Sequence, residues 1–222
     1  MYFNKKLGFT LAEVLITLGI IGVVTVLTVP VINAKIQAKK LRTAFDKHYS
    51  ILQQATLKLH TDIGNIDPNS SDFTSPNRFN VQLAKYYEHI DSIISYSTSR
   101  FQLYKRFHDN KLTVGQEYLD DGEIRFKDGT LFLIEQGGQS KYTNFLVSID
   151  INGYKNAPNR WGYDLFTFVI TKEGNVLPMG AEKTYFAKTR QQYCDKNSTD
   201  KYNGLTCAYY ANTDADYFKK LF

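Results

Sequence analysis

The chain has 222 residues, 43% of them hydrophobic, with 27 Lys and Arg against 22 Asp and Glu for a net charge of +5. That length suits one domain of ordinary size with an appendage, and the composition fits a globular protein with at most one membrane span. The mild basic excess excludes a nucleic-acid footprint, because no basic block is clustered after Lys35, Lys39, Lys40 and Arg42.

Residues 5–32 read KKLGFTLAEVLITLGIIGVVTVLTVPVI, and from Phe9 to Ile32 the only charge is Glu13. As a helix this run is about 36 Å long, enough to cross a bilayer with some tilt. A secretory signal peptide is the competing reading, but its apolar core should be only about 7–15 residues long. Ile32-Asn33-Ala34 is also a poor cleavage site. A carboxylate within the span is costly, roughly 2.5–3.5 kcal/mol on insertion scales, so Glu13 needs a reason. The flanking charge raises a second difficulty. Four basic residues follow the run and only Lys5 and Lys6 precede it, so a count of positive charge would place the N-terminus outside.

KKLG followed by FTLAEVLITLGIIGVVTVLTVPVI resembles the leader and N-terminal helix of type IV pilins and type II secretion pseudopilins. The resemblance implies a leader over 1–8, cut by a prepilin peptidase between Gly8 and Phe9. It also implies methylation of the new amino terminus at Phe9. Glu13 falls on the family's glutamate, the fifth residue of the mature chain, and Pro30 on its helix-kinking proline. The residues agree physically. Gly8 offers no side chain to a tight protease cleft, and Pro30 removes a helical N–H and crowds the preceding turn. A plain helix end outside the membrane is the alternative for Pro30. Peptidase access requires Lys5 and Lys6 in the cytoplasm, which outweighs the charge count.

Helical spacing continues through Ile36, Leu41, Phe45, Tyr49, Leu52, Ala55 and Leu59. This predicts a span over 9–33 and an amphipathic continuation over 34–64 that packs on a globular head and stops near Gly64. The head takes 65–222, beginning with a polar loop at Asp67–Ser71 and a short helix near Phe79–Ile90. From about 112 to 178 the pattern is of strands. EIRFKDGTLFLIEQGG reads as a hairpin at Asp128-Gly129, TNFLVSIDING as a third strand, and DLFTFVITKEGNVLP as two more around Glu173-Gly174. Short connections imply an antiparallel sheet. The tail from Gly180 reads as irregular, with a short helix at Ala215–Leu221. The fold class is therefore α+β. A long N-terminal helix on an antiparallel sheet, closed by a C-terminal disulfide loop, is the pilin architecture that the resemblance implies.

Cys194 and Cys207 are the only cysteines. An even number beyond a span suggests a disulfide in an oxidising compartment, with two unpaired thiols as the alternative. No nucleotide loop, HExxH or GxSxG occurs, and QGGQSK at 136–141 reads as a turn. The four histidines share no spacing and read as surface or boundary residues. DINGYKNAPNRWGYD, 150–164, places Asp150, Asn152, Asn159 and Asp164 among turn residues between two strands. Hard oxygen ligands on such a loop suit calcium. The bland reading is a loop whose Asn and Asp side chains cap their own backbone, with Trp161 as its apolar anchor. Type II major pseudopilins hold calcium in a head loop, but with a different ligand pattern.

The expectation is a structural subunit and no enzyme, with no cofactor beyond that calcium. The resemblance implies a prepilin peptidase, other pilin or pseudopilin subunits, an assembly platform protein with a separate ATPase, and the inner membrane as partners. The N-terminus would be cytoplasmic and the head outside, later on a periplasmic or cell-surface filament. A membrane-anchored binding protein that never polymerises is the alternative.

Overall fold

The computed structural model describes residues 8–74, 78–95, 103–109, 111–112, 118–136 and 143–222. Helix α1, Leu11–Ile63, runs 53 residues without interruption. It ends at Gly64, whose N–H donates to the His60 carbonyl and whose φ of 77° suits glycine. Pro30 lies inside this helix, so the alternative of a helix end at that point does not hold. The buried stripe runs Ala38, Phe45, His48, Leu52, Ala55 and Leu59, in steps of three, four and seven that keep one face turned to the head.

That face covers a six-stranded antiparallel meander, β1-β2-β3-β4-β5-β6 in spatial order. The strands are β1 Ile90–Ile94, β2 Gly122–Phe126, β3 Leu131–Gln136, β4 Phe145–Asp150, β5 Leu165–Ile170 and β6 Val176–Pro178. The Asp128-Gly129 and Glu173-Gly174 turns fall where expected. Strand β1 does not: the sheet begins at Ile90, well ahead of 112, and the helix before it, α2, is confined to Phe79–Ala84.

Strands β4 and β5 are buried on both faces. Toward α1 point Phe145, Val147, Ile149, Phe166, Phe168 and Ile170. Phe45 of α1 sits among them, with ring centroids 4.9 Å from Phe166 and 5.9 Å from Phe168. Toward the opposite side point Leu131, Leu133, Leu146, Leu165 and Val169, roofed by Trp161, Tyr104, Tyr118 and Leu205. Ser148 and Thr167 lie on this second face. Their hydroxyls meet at 2.8 Å, and Trp161 Nε1 donates to Thr167 at 3.2 Å. Both buried hydroxyls are thereby satisfied, as burial requires.

The tail is more ordered than the sequence suggests. Cys194 and Cys207 form a disulfide with Cα atoms 5.0 Å apart, and Cys207 opens helix α3, Cys207–Thr213. A 3-10 turn at Tyr217–Leu221 then sends Phe218 back to α1, 5.8 Å from Phe45 and 5.7 Å from Phe166. His48 corrects the expectation of surface histidines. It is only 5% exposed, edge-on to Phe132, with Nε2 3.1 Å from the Thr130 hydroxyl. Burial, then the charge of Lys47, holds its pKa down at about 4, against the pull of Asp128.

Candidate functional site

The head buries none of the apolar window in the first half of α1 and reaches it only at a groove beside Pro30 and Val31. Phe9 is 90% exposed, and the apolar window of this half is wholly unburied. A helix starting in such surroundings must satisfy its own first N–H groups. Thr10 and Glu13 do so reciprocally: Glu13 N–H donates to the Thr10 hydroxyl, and the Thr10 N–H and hydroxyl both donate to Glu13 Oε2, at 2.8 and 2.7 Å. This is a capping box. Glu13 therefore has a partner within its own chain. The signal, Thr three residues before Glu, is present in the sequence, but the apolar run draws attention to the charge instead.

Polar atoms further along the apolar half are also internally paired. Thr17, Thr25 and Thr28 each donate to a carbonyl three or four residues back, at 2.7–2.9 Å. Such back-bonding removes the cost of a hydroxyl in an apolar medium. Pro30 follows with no N–H to donate, leaving the turn behind it one bond short.

The second candidate, 150–164, joins β4 to β5. Asp150 and Asp164 are both fully buried. Asp150 accepts from the Tyr104 hydroxyl at 2.7 Å and from the N–H groups of Gly153 and Asn152. Asp164 accepts from the N–H groups of Asn159 and Arg160, at 2.9 and 2.6 Å. Each carboxylate thus locks one limb of the loop. Burial, then the charge of Asp164, pushes Asp150 up to about 7. Burial likewise pushes Asp164 up to about 6, opposed by the N–H groups it accepts. Asn152 and Asn159 orient the loop through their amide nitrogens, while their Oδ1 atoms are buried without a hydrogen-bond partner. Trp161 and Gly162 close the loop on the second core. A Cβ on Gly162 would meet Phe107 at 2.5 Å and Cys207 Sγ at 2.8 Å, so no larger residue fits.

A third acidic group escaped the sequence reading because its members are far apart in the chain. Glu135 on β3 is 7% exposed, and burial, then the charges of Asp121 and Asp120, raises it to about 9. Among the described residues, no three His, Cys, Asp or Glu side chains form a metal-binding group. The turn expected at 136–141 falls, apart from Gln136, outside the described residues.

Residues 3–29 match the prokaryotic N-terminal methylation motif. They carry a prepilin-type signal. No curated protein and no solved structure matches the chain. The signal covers Gly8, Phe9 and Glu13 and ends one residue before Pro30. It continues directly into an apolar helix long enough to cross a membrane, which fits a membrane-anchored precursor of pilin or pseudopilin type. The fold behind it is α+β and pilin-like: one long helix, an antiparallel sheet and a disulfide near the C-terminal end.

Proposed function

We propose that this chain is a structural subunit of a type IV pilus or type II secretion pseudopilus. Prepilin peptidase cuts after Gly8 and methylates Phe9. Residues 9–33 span the inner membrane with the N-terminus cytoplasmic, 34–64 carry the helix onto the head, and 65–222 form the head outside. The carrying observation is the division of α1. Its apolar half is unburied and joined to a prepilin-type signal, while its second half is built into the core. An apolar helix face of that size needs lipid before assembly and neighbouring helices after it.

In a filament, Glu13 exchanges its partner. The carboxylate of an incoming helix meets the amino terminus at Phe9 of a subunit already placed, where opposite charges about 4 Å apart attract by roughly 4 kcal/mol at an effective dielectric of 20. Opening that half of the capping box leaves the other half in place, since the Thr10 hydroxyl still accepts from the Glu13 N–H. An assembly platform and a separate ATPase supply the work. N-terminal mass spectrometry of the mature protein tests the processing, which requires a methylated Phe9. Recovery in sheared filaments tests assembly, and an anchored, processed protein absent from filaments would favour the non-polymerising alternative.

As a second reading, we infer that calcium binds the 150–164 loop. Two buried carboxylates lie beside two buried, unpaired amide oxygens, and hard oxygen donors suit that ion. Millimolar calcium should then raise the melting temperature of the full chain, and Asp164→Ala should abolish the rise. No thermal response would leave the loop as a lock on its own backbone.

A further inference from the structure

The positive charge that follows the apolar run is not explained by processing or by filament packing. Lys35, Lys39 and Lys40 are all exposed. Their neighbours three and four residues away along α1 are apolar, uncharged or basic, and Lys35 and Lys39 stand one turn apart as a like-charged pair. No acid occurs on the helix between Glu13 and Asp46, and Asp46 is taken by Arg42 at 2.8 Å. The next cation, Lys47, is paired with Asp128 at 2.9 Å. Among the described residues, ion pairing on α1 thus begins only beyond these three lysines.

Their depth is fixed by the same helix. With Ile32 closing the apolar run, Lys35 lies about 5 Å beyond it and Lys39 and Lys40 about 12 Å beyond it. The polar zone on each side of the hydrocarbon is roughly 5–8 Å thick, and a lysine stem reaches back several ångströms toward it. The head contributes at this level too. A groove of about 410 Å³ is lined by Pro30, Ala34, Lys35, Lys219 and Phe222. Its floor is apolar, and Phe222 is 51% exposed on its rim. Lys219 is held by Asp216, so the free charge is that of the three helix lysines.

We propose that Lys35, Lys39 and Lys40 form a collar that binds the phosphates of anionic lipids in the outer leaflet of the membrane from which the subunit is drawn. The collar rests on the reading of 9–33 as a span. It would hold the waiting subunit upright at a defined depth, and it gives a use to charge that opposes the usual topology count. Extraction into a filament then means leaving these phosphates, so the anionic lipid content sets part of the resistance to extraction.

The test is amine footprinting by mass spectrometry on the full chain, reconstituted in phosphatidylcholine vesicles or in vesicles with one quarter phosphatidylglycerol. A membrane-impermeant acylating reagent reports the outward-facing heads. Each lysine near an anionic surface is worth roughly a five-fold change in binding. Acylation of Lys35, Lys39 and Lys40 should therefore slow about five-fold in the anionic vesicles and recover in 0.5 M salt. Lys58, exposed near the far end of α1, and Lys85, exposed on the head, should not change. Equal rates in both vesicles would overturn the proposal. Protection that vanishes on dilution to one chain per vesicle would also overturn it, since a second copy would then be the partner. Flotation with the vesicles is read separately: a chain that fails to float in either composition refutes the span, not the collar.

Discussion

The two halves of α1 are one continuous helix with opposite solutions to the problem of polar groups. From Leu11 to Ile32 nothing is buried, and every polar side chain is tied to its own helix: Thr10 to Glu13, and Thr17, Thr25 and Thr28 to carbonyls. From Ala38 to Leu59 the helix buries one stripe and pairs outward, Arg42 with the Ala211 carbonyl, Lys47 with Asp128, and Tyr49 with the Val176 carbonyl. A helix that keeps its polar atoms to itself can change surroundings, from lipid to a bundle of copies, without breaking any bond to the head. The second half has no such freedom.

The strongest break in this contrast comes at the leader. Gly8→Val should abolish maturation, and full-length precursor should accumulate in the membrane; a normally processed Gly8→Val protein would sink the proposed function. Next is Glu13→Ala, which should still be cut after Gly8 but enter filaments poorly. Efficient assembly of that subunit in cells lacking the native one would show that the charge does not guide packing. The halves are compared directly by two truncations. Phe45→Ala removes a ring in contact with Phe166, Phe168 and Phe218 and should cost about 3–5 kcal/mol in denaturant unfolding of the head. Val24→Ala, at a site more than half exposed, should leave that unfolding unchanged.

Cys207→Ser opens a link between residues 13 apart and should cost about 3 kcal/mol by the chain-entropy argument. Because Cys207 starts α3 against the core, the loss should appear in global unfolding, not as a loosened tail alone. The smallest effect concerns pH. Asp150, Asp164 and Glu135 have raised pKa values, so the folded state holds protons that the unfolded state releases. Their contribution to stability is fully present below about pH 4 and falls as pH rises through 6–9. His48 acts oppositely, since its lowered pKa removes stability as pH falls from about 6.5 to 4. Asp150→Asn should therefore gain on the native chain at pH 8 and lose that gain by pH 4. A difference independent of pH would show that the carboxyl does not titrate in this range.

Much of the fold can be read from local pattern. Gly64 stops the helix, Asp128-Gly129 and Glu173-Gly174 turn the hairpins, and the apolar run marks the first half of α1. Strand β1 escapes because five residues at a sheet edge, alternating between half-buried and exposed, carry little signal. Helix α3 escapes because it is short, lacks a side-chain cap and gains its stability from Cys207, Ala208 and Ala211 packing on distant elements. Tyr49 packs on the core as the spacing predicts, stacked on Phe168, while the burial of its neighbour His48 depends on the position of Thr130 and Phe132. In the loop, Asp150 and Asp164 are legible as turn residues. Their mutual burial under Tyr104 and Trp161 is not, because it depends on strands pairing at long range.

The meander has a consequence for how the head folds as it emerges from the membrane. Each strand pairs with the one before it, so pairing can follow the order in which the chain arrives, with least entropy to overcome at the short β2–β3 and β5–β6 turns. The layer beneath α1 cannot be finished that way. Phe45 is among the first residues of the core to cross, and its partner Phe218 is among the last. Until then the rings of Phe45 and Phe166 stay uncovered on that side, so a half-translocated head has a zipped sheet and an open core. Pulse labelling of a chain stalled before Cys207 should find strands β2–β5 protected while the helix 38–59 still exchanges.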